Sequence, residues 1–128
     1  MSQARSDKIQ AELQGVLRRA SEDLLAILIT DKDGVIILRA TQEGLPSQVL
    51  EPAFTASFLL TSDQMAKIGF GKTKQVIGIT GSYSIAQFAS PPLTLTLLAK
   101  HDANLGIVVD MGHELRPIVE AVANSLEN

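Results

Sequence analysis

Cysteine is absent from the 128-residue chain, and histidine occurs only at His101 and His113. Without thiols the chain can form no disulfide and offers no thiol nucleophile, which fits a reducing compartment and sets the expectation of a cytosolic protein. The two histidines have no cysteine beside them and would need distant carboxylates to hold zinc, so no metal site is expected. A concentrated positive patch is missing as well. The net charge is −3 and Arg18-Arg19 is the only adjacent pair among eleven scattered basic residues, so nucleic acid is not an expected partner. The opening MSQARSDKIQ has no apolar core of a signal peptide, and no later stretch reaches the length of a membrane span. With Ser at position 2 and no cysteine in the final SLEN, neither myristoylation nor prenylation is expected. Residence at a membrane would have to come through a partner. No internal repeat or low-complexity segment is visible.

What is present is globular. Hydrophobic residues make up 45% of the chain against 20% charged, enough to bury a core, and the length suits one domain over residues 1–128. From about Lys8 to Ala20, Ile9, Leu13, Val16 and Leu17 recur at helical spacing, with Ser6 or Asp7 available as N-cap. The apolar run Leu24 to Thr30 reads as a buried strand, and Asp31 to Gly34 as a tight turn into VIILRA, Val35 to Ala40, giving an antiparallel pair. After a polar loop broken by Gly44 and Pro46, Pro52 opens a central helix that Gly69 and Gly71 end. Strands QVIGIT, YSIAQF and LTLTLLA follow as a three-stranded meander, divided by Gly81-Ser82 and Pro91-Pro92. Asn104 caps a last helix carrying Val108, Met111, Leu115, Val119 and Val122, which Gly112 and Pro117 are expected to interrupt or kink. The order is α-β-β-α-β-β-β-α. It predicts an α+β fold in which one five-stranded antiparallel sheet carries helices on both faces.

The central helix has more apolar surface than one sheet needs. At about 100° per residue, Phe54, Phe58, Met65 and Ile68 form one stripe, assigned to the chain's own core. Ala56, Leu59, Ala66 and Phe70 lie nearly opposite, on a second stripe; whichever of the two stripes faces away from the chain's own core is one that something else must cover. That something is expected to be another subunit, with Leu60 beside the small residues that let two helices approach closely.

Most chemical motifs fail on their context. Ala66 to Thr73 approaches the letters of a phosphate-binding loop, but such a loop needs a strand running in and a helix N-terminus running out, and here that order is reversed. Asp31 and Asp33 start like a calcium loop, yet Val35, Ile36 and Glu43 do not continue it. Ser82 and Ser84 lack the surroundings of a hydrolase nucleophile. No catalytic, cofactor-binding or metal-ligating residue is therefore nominated, and the chain is expected not to be an enzyme.

Several strings, in order and with similar spacing, resemble the roadblock family of small dimerising domains, and within it the roadblock-type subunits of the Ragulator complex. They include Asp31-Lys32-Asp33-Gly34-Val35, Pro52 with Phe54 and Phe58, and Thr61-Ser62-Asp63-Gln64 followed by Lys67-Ile68-Gly69. Further on come Lys72 and Lys74, Tyr83 with Gln87-Phe88, Pro92-Leu93, Ala103-Asn104 with Gly106-Ile107-Val108, and Glu114-Leu115 with Pro117. The resemblance implies a profilin-like roadblock fold and a non-catalytic scaffold without cofactor. Such a subunit pairs with a second roadblock protein through central helices and third strands, which here would add Gln75, Ile77 and Ile79 to the partner interface. It further implies other Ragulator subunits, Rag GTPases acting with mTOR complex one, and the MEK and ERK kinases as partners. The place would be the cytoplasmic face of late endosomes and lysosomes, reached through a lipidated partner. The alternative is a homodimeric roadblock domain that regulates a small GTPase.

Overall fold

The apolar run after the first helix forms strand β1 (Leu24–Thr30), and the next forms β2 (Ile36–Thr41), paired antiparallel with it. In this computed structural model, which describes residues 3–31, 33–45, 47, 75–80, 83–90 and 92–127, the turn between them is built on Asp31. One of its carboxylate oxygens accepts from the backbone N–H of Asp33 at 2.8 Å and of Val35 at 3.0 Å. The Asp31 N–H in turn donates to the Val35 carbonyl at 3.0 Å. Gly34 supplies the positive φ, at 83°, that a side chain would resist. The strand therefore starts one residue later than VIILRA suggests, because Val35 is spent on closing the turn and stands 55% exposed.

Strands β3 (Gln75–Thr80), β4 (Tyr83–Ser90) and β5 (Leu93–Lys100) form the predicted meander. Pairing of β1 with β5 joins the two units into one five-stranded antiparallel sheet of order β2-β1-β5-β4-β3. The expected central helix, with both of its stripes, lies outside the described residues.

Both described helices, α1 (Gln3–Arg19) and α2 (Leu105–Glu127), pack on the same face of the sheet. Ile27, Ile29, Leu95, Leu97, Ala86 and Phe88 form that face. α1 sets Ile9, Leu13, Val16 and Leu17 into it, and α2 adds Val108, Leu115, Val119 and Val122. Each large side chain buried there stabilises the fold by roughly 1.5–3 kcal/mol. The opposite face carries a smaller cluster of Ala26, Leu28, Ile85 and Leu98, flanked by buried Thr30, Gln87, Thr94 and Thr96. Gln87 donates to the Thr96 hydroxyl at 3.2 Å. Burial on both faces explains why β1 and β5 read as nearly continuous apolar runs rather than as alternating strands.

Two helix boundaries differ from expectation. α1 begins at Gln3 rather than Lys8, so Ser6 and Asp7 lie within it; the Gln3 side chain donates to Asp7 at 2.9 Å, an i,i+4 contact that supports the extra turn. α2 is continuous through Gly112 and Pro117. Pro117 and His113 both lie on the exposed side, so the carbonyl that loses its bond to the proline faces water. Gly112 is buried instead, where α2 crosses β4: a Cβ built there would run into the Phe88 ring. Asn104 caps this helix as expected, its side-chain oxygen accepting from the N–H of Gly106 at 2.9 Å and Ile107 at 3.3 Å.

Candidate functional site

The residues nominated for a partner interface fall into two sets. Ala56, Leu59, Leu60 and Ala66, like the core stripe of Phe54, Phe58, Met65 and Ile68, lie outside the described residues. Gln75, Ile77 and Ile79 lie on β3, an edge of the sheet, at register positions facing Phe88, Ala86 and Ser84 of β4. The β3–β4 register is unbroken from Gln75 to Thr80. β3 carries neither proline nor charge, and among the described residues no strand pairs with its outer side. Such an edge is a template for adding another strand.

The other edge, β2, is defended. Its register against β1 shifts between Ile29 and Thr30, it exposes the charged Arg39, and the Gln10 side chain of α1 donates to the Arg39 carbonyl. Gln42 at the end of β2 donates from its side chain to the Ser21 carbonyl at 2.9 Å, fastening the strand to the turn after α1. Sequence reasoning missed these contacts, because each joins residues far apart in the chain.

The rejected motifs occupy ordinary structural roles where they are described. The Asp31 carboxylate is engaged by the turn, which accounts for it without a cation. His113 meets Phe88 edge-on, with ring centroids 6.0 Å apart. The Ser84 hydroxyl donates to the backbone carbonyl of His101 at 3.5 Å rather than facing an imidazole. Among the described residues, no group of three His, Asp or Glu side chains could hold a metal ion, and no helix is long and apolar enough to cross a membrane. Phe88, buried under Gly112, ties α2 to the strand that supports β3. The signal available for this contact was a glycine at an apolar-periodic position of a helix, which marks close approach.

Solved structures with this arrangement include roadblock domains. A structure of MglB in a tetrameric arrangement superposes with a TM-score of 0.70 at 17% identity, covering 95% of this chain and 90% of that one. The Roadblock/LC7 domain from Streptomyces avermitilis gives 0.58 at 16% identity, covering 95% and 98%. The chain has the roadblock fold. A family model described as mitogen-activated protein kinase kinase 1 interacting matches residues 7–126, and the chain belongs to that family. Relatives include the Ragulator complex protein LAMTOR3 of Tetraodon nigroviridis and of Danio rerio, each 35% identical over 106 residues, which are 83% of this chain and 86% of theirs. The Bos taurus protein of the same name is 34% identical over the same share. Family and fold together make the chain an adaptor rather than an enzyme.

Proposed function

We propose that residues 1–128 form one roadblock-type domain that acts as a scaffold subunit of a Ragulator-like complex, pairing with a second roadblock-family protein. The observation that carries this reading is the undefended β3 edge in a chain whose relatives are Ragulator complex proteins. A strand of the partner adds to Gln75–Thr80 and extends the sheet, while Ala56, Leu59, Leu60 and Ala66 of the central helix pack against the partner's helix. Backbone hydrogen bonds supply affinity, and the helix contacts choose the partner. The resulting heterodimer contributes to a platform for Rag GTPases and mTOR complex one, and the family description supports MEK and, through it, ERK as clients. Attachment to late endosomal and lysosomal membranes comes through a lipidated subunit.

Co-expression with a second roadblock subunit tests the reading, with the mass of the purified complex as readout. A one-to-one complex is expected, and the chain expressed alone should self-associate or be poorly soluble. A stable, soluble monomer that ignores the second subunit would overturn the proposal. A mass of two copies unchanged by any roadblock partner would favour the homodimeric, GTPase-regulating alternative.

A further inference from the structure

Arg18 and Arg19 are the one adjacent basic pair of the chain, and Ser21 is its only serine or threonine with an arginine three residues before it. Arg19 places a second guanidinium two residues before the same hydroxyl. α1 ends at Arg19, so Ser21 stands in the turn that follows, exposed to solvent as both arginines are. It borders an open cavity of about 600 Å³ together with Arg18, Thr41 and Gln42, which leaves room for a phosphoryl group. Two cations at this spacing before a hydroxyl are the pattern that a protein kinase with acidic, arginine-reading pockets selects, and Glu22 and Asp23 after the serine leave recognition to the arginine side. The turn is held shut by contacts with other elements. Ala20 is buried, its N–H donating to the Val16 carbonyl at 3.1 Å and its carbonyl accepting from the Leu24 N–H at 2.8 Å. Gln42, just past β2, donates from its side chain to the carbonyls of Ser21 and Leu24, and Arg19 is paired with Glu114 of α2 at 2.8 Å. A kinase takes its substrate segment extended, with the hydroxyl in line with the phosphoryl donor, so Arg18 to Ser21 must leave these partners first.

We propose that Ser21 is a phosphorylation site for an arginine-directed serine kinase, with the turn after α1 as its gate and Gln42 as the latch. Helix ends and turns open locally without unfolding the rest of a domain, and opening here presents Arg18, Arg19 and Ser21 as one extended segment. The Ser21 Oγ attacks the γ-phosphorus of ATP. The Oγ–P bond forms, the bond from that phosphorus to the oxygen bridging it to the β-phosphate breaks, the hydroxyl proton passes to the catalytic carboxylate of the kinase, and ADP leaves. The product carries about two negative charges beside Arg18 and Arg19, which cancels the one concentrated positive spot of the sequence. α1 and Gln42 lie at the β2 end of the sheet, away from β3, so neither the site nor its test depends on strand pairing at β3.

The test is to incubate the full chain with magnesium ATP and the catalytic subunit of cyclic-AMP-dependent protein kinase, an arginine-directed enzyme. Mass spectrometry counts and places the phosphate, and circular dichroism confirms the fold of each variant. The chain should take up a phosphate at Ser21, and Ser21→Ala should lose it. Arg18→Ala should lower the initial rate by about tenfold or more, and Gln42→Ala, which frees the turn, should raise it by about threefold or more. Where Gln42→Ala fails to fold, Glu114→Gln takes its place, since it releases Arg19 alone, and the same rise is expected. Absence of phosphate from Ser21 in both the unaltered chain and the freed variant would overturn the proposal, and so would an Arg18→Ala rate equal to that of the unaltered chain. A rate unchanged by freeing the turn would overturn the gate.

Discussion

At one edge of the sheet β2 exposes Arg39, hands that residue's carbonyl to Gln10 of α1 and pairs with β1 through a register shift; at the other, β3 runs Gln-Val-Ile-Gly-Ile-Thr without a charge, a proline or a break in register. An unpaired strand edge invites association with any other strand, and proteins usually blunt it with charge, bulges or a covering element. Here one edge is blunted by all three devices and the other by none of those that its sequence or register could supply. The difference teaches that, among the described residues, the means of protecting an edge are applied to β2 and not to β3. An adaptor needs one adhesive edge and no second one, because two would let it polymerise.

The largest expected effect comes from giving β3 the protection that β2 has. Ile77→Lys places a charge in the middle of the edge strand and should weaken pairing with the roadblock partner by about two orders of magnitude, or roughly 3 kcal/mol, with circular dichroism recorded beside it because Ile77 is in register with Ala86 on the helix-bearing face. Arg39→Ala at the guarded edge should leave pairing unchanged. Titration calorimetry of the two variants against the same partner reads the contrast directly, and equal effects would erase the distinction between the edges.

A smaller effect follows from disturbing what holds β4, and through it β3, against the helices. Gly112→Ala puts a methyl group into the Phe88 ring where α2 crosses β4. Overpacking of this kind costs about 1–3 kcal/mol, a fall in melting temperature of about 5–10 °C for a chain of this size. Adding Phe88→Leu should recover part of the loss by making room. A Gly112→Ala melting temperature equal to wild type would mean that the crossing is looser than the ring contact indicates.

The parts of this fold legible in the sequence were those that neighbouring residues determine. β1 and β3 have the predicted ends because turn residues bound them on both sides, and Asn104 caps α2 because a short amide can reach back to the N–H groups one turn on. What depends on three-dimensional placement was not legible. Pro117 leaves α2 continuous because its side of the helix faces water, and Gly112 is a contact rather than an interruption because Phe88 lies beneath it; neither partner is near in sequence. The same holds for the two edges. QVIGIT could be read as a strand, but its standing as an end strand of the sheet follows from β1 pairing with β5, and the guard on β2 comes from Gln10, 29 residues away.

The smallest effect belongs to the hairpin that sets β2 in place. Asp31 satisfies two backbone N–H groups with one carboxylate oxygen while Gly34 takes the left-handed conformation, so the turn needs an acceptor at Asp31 rather than a charge. Asp31→Ala removes the acceptor in an exposed turn, where water replaces much of what is lost, and should cost about 1 kcal/mol. Asp31→Asn keeps an oxygen in the same place and should cost only a few tenths. Chemical denaturation measures both. If the asparagine variant were as unstable as the alanine one, the turn would depend on the negative charge, and the calcium-loop reading rejected for Asp31 and Asp33 would need a metal titration. If Asp31→Ala also let the chain associate through β2, the hairpin would join Gln10 and Arg39 among the features that keep that edge closed.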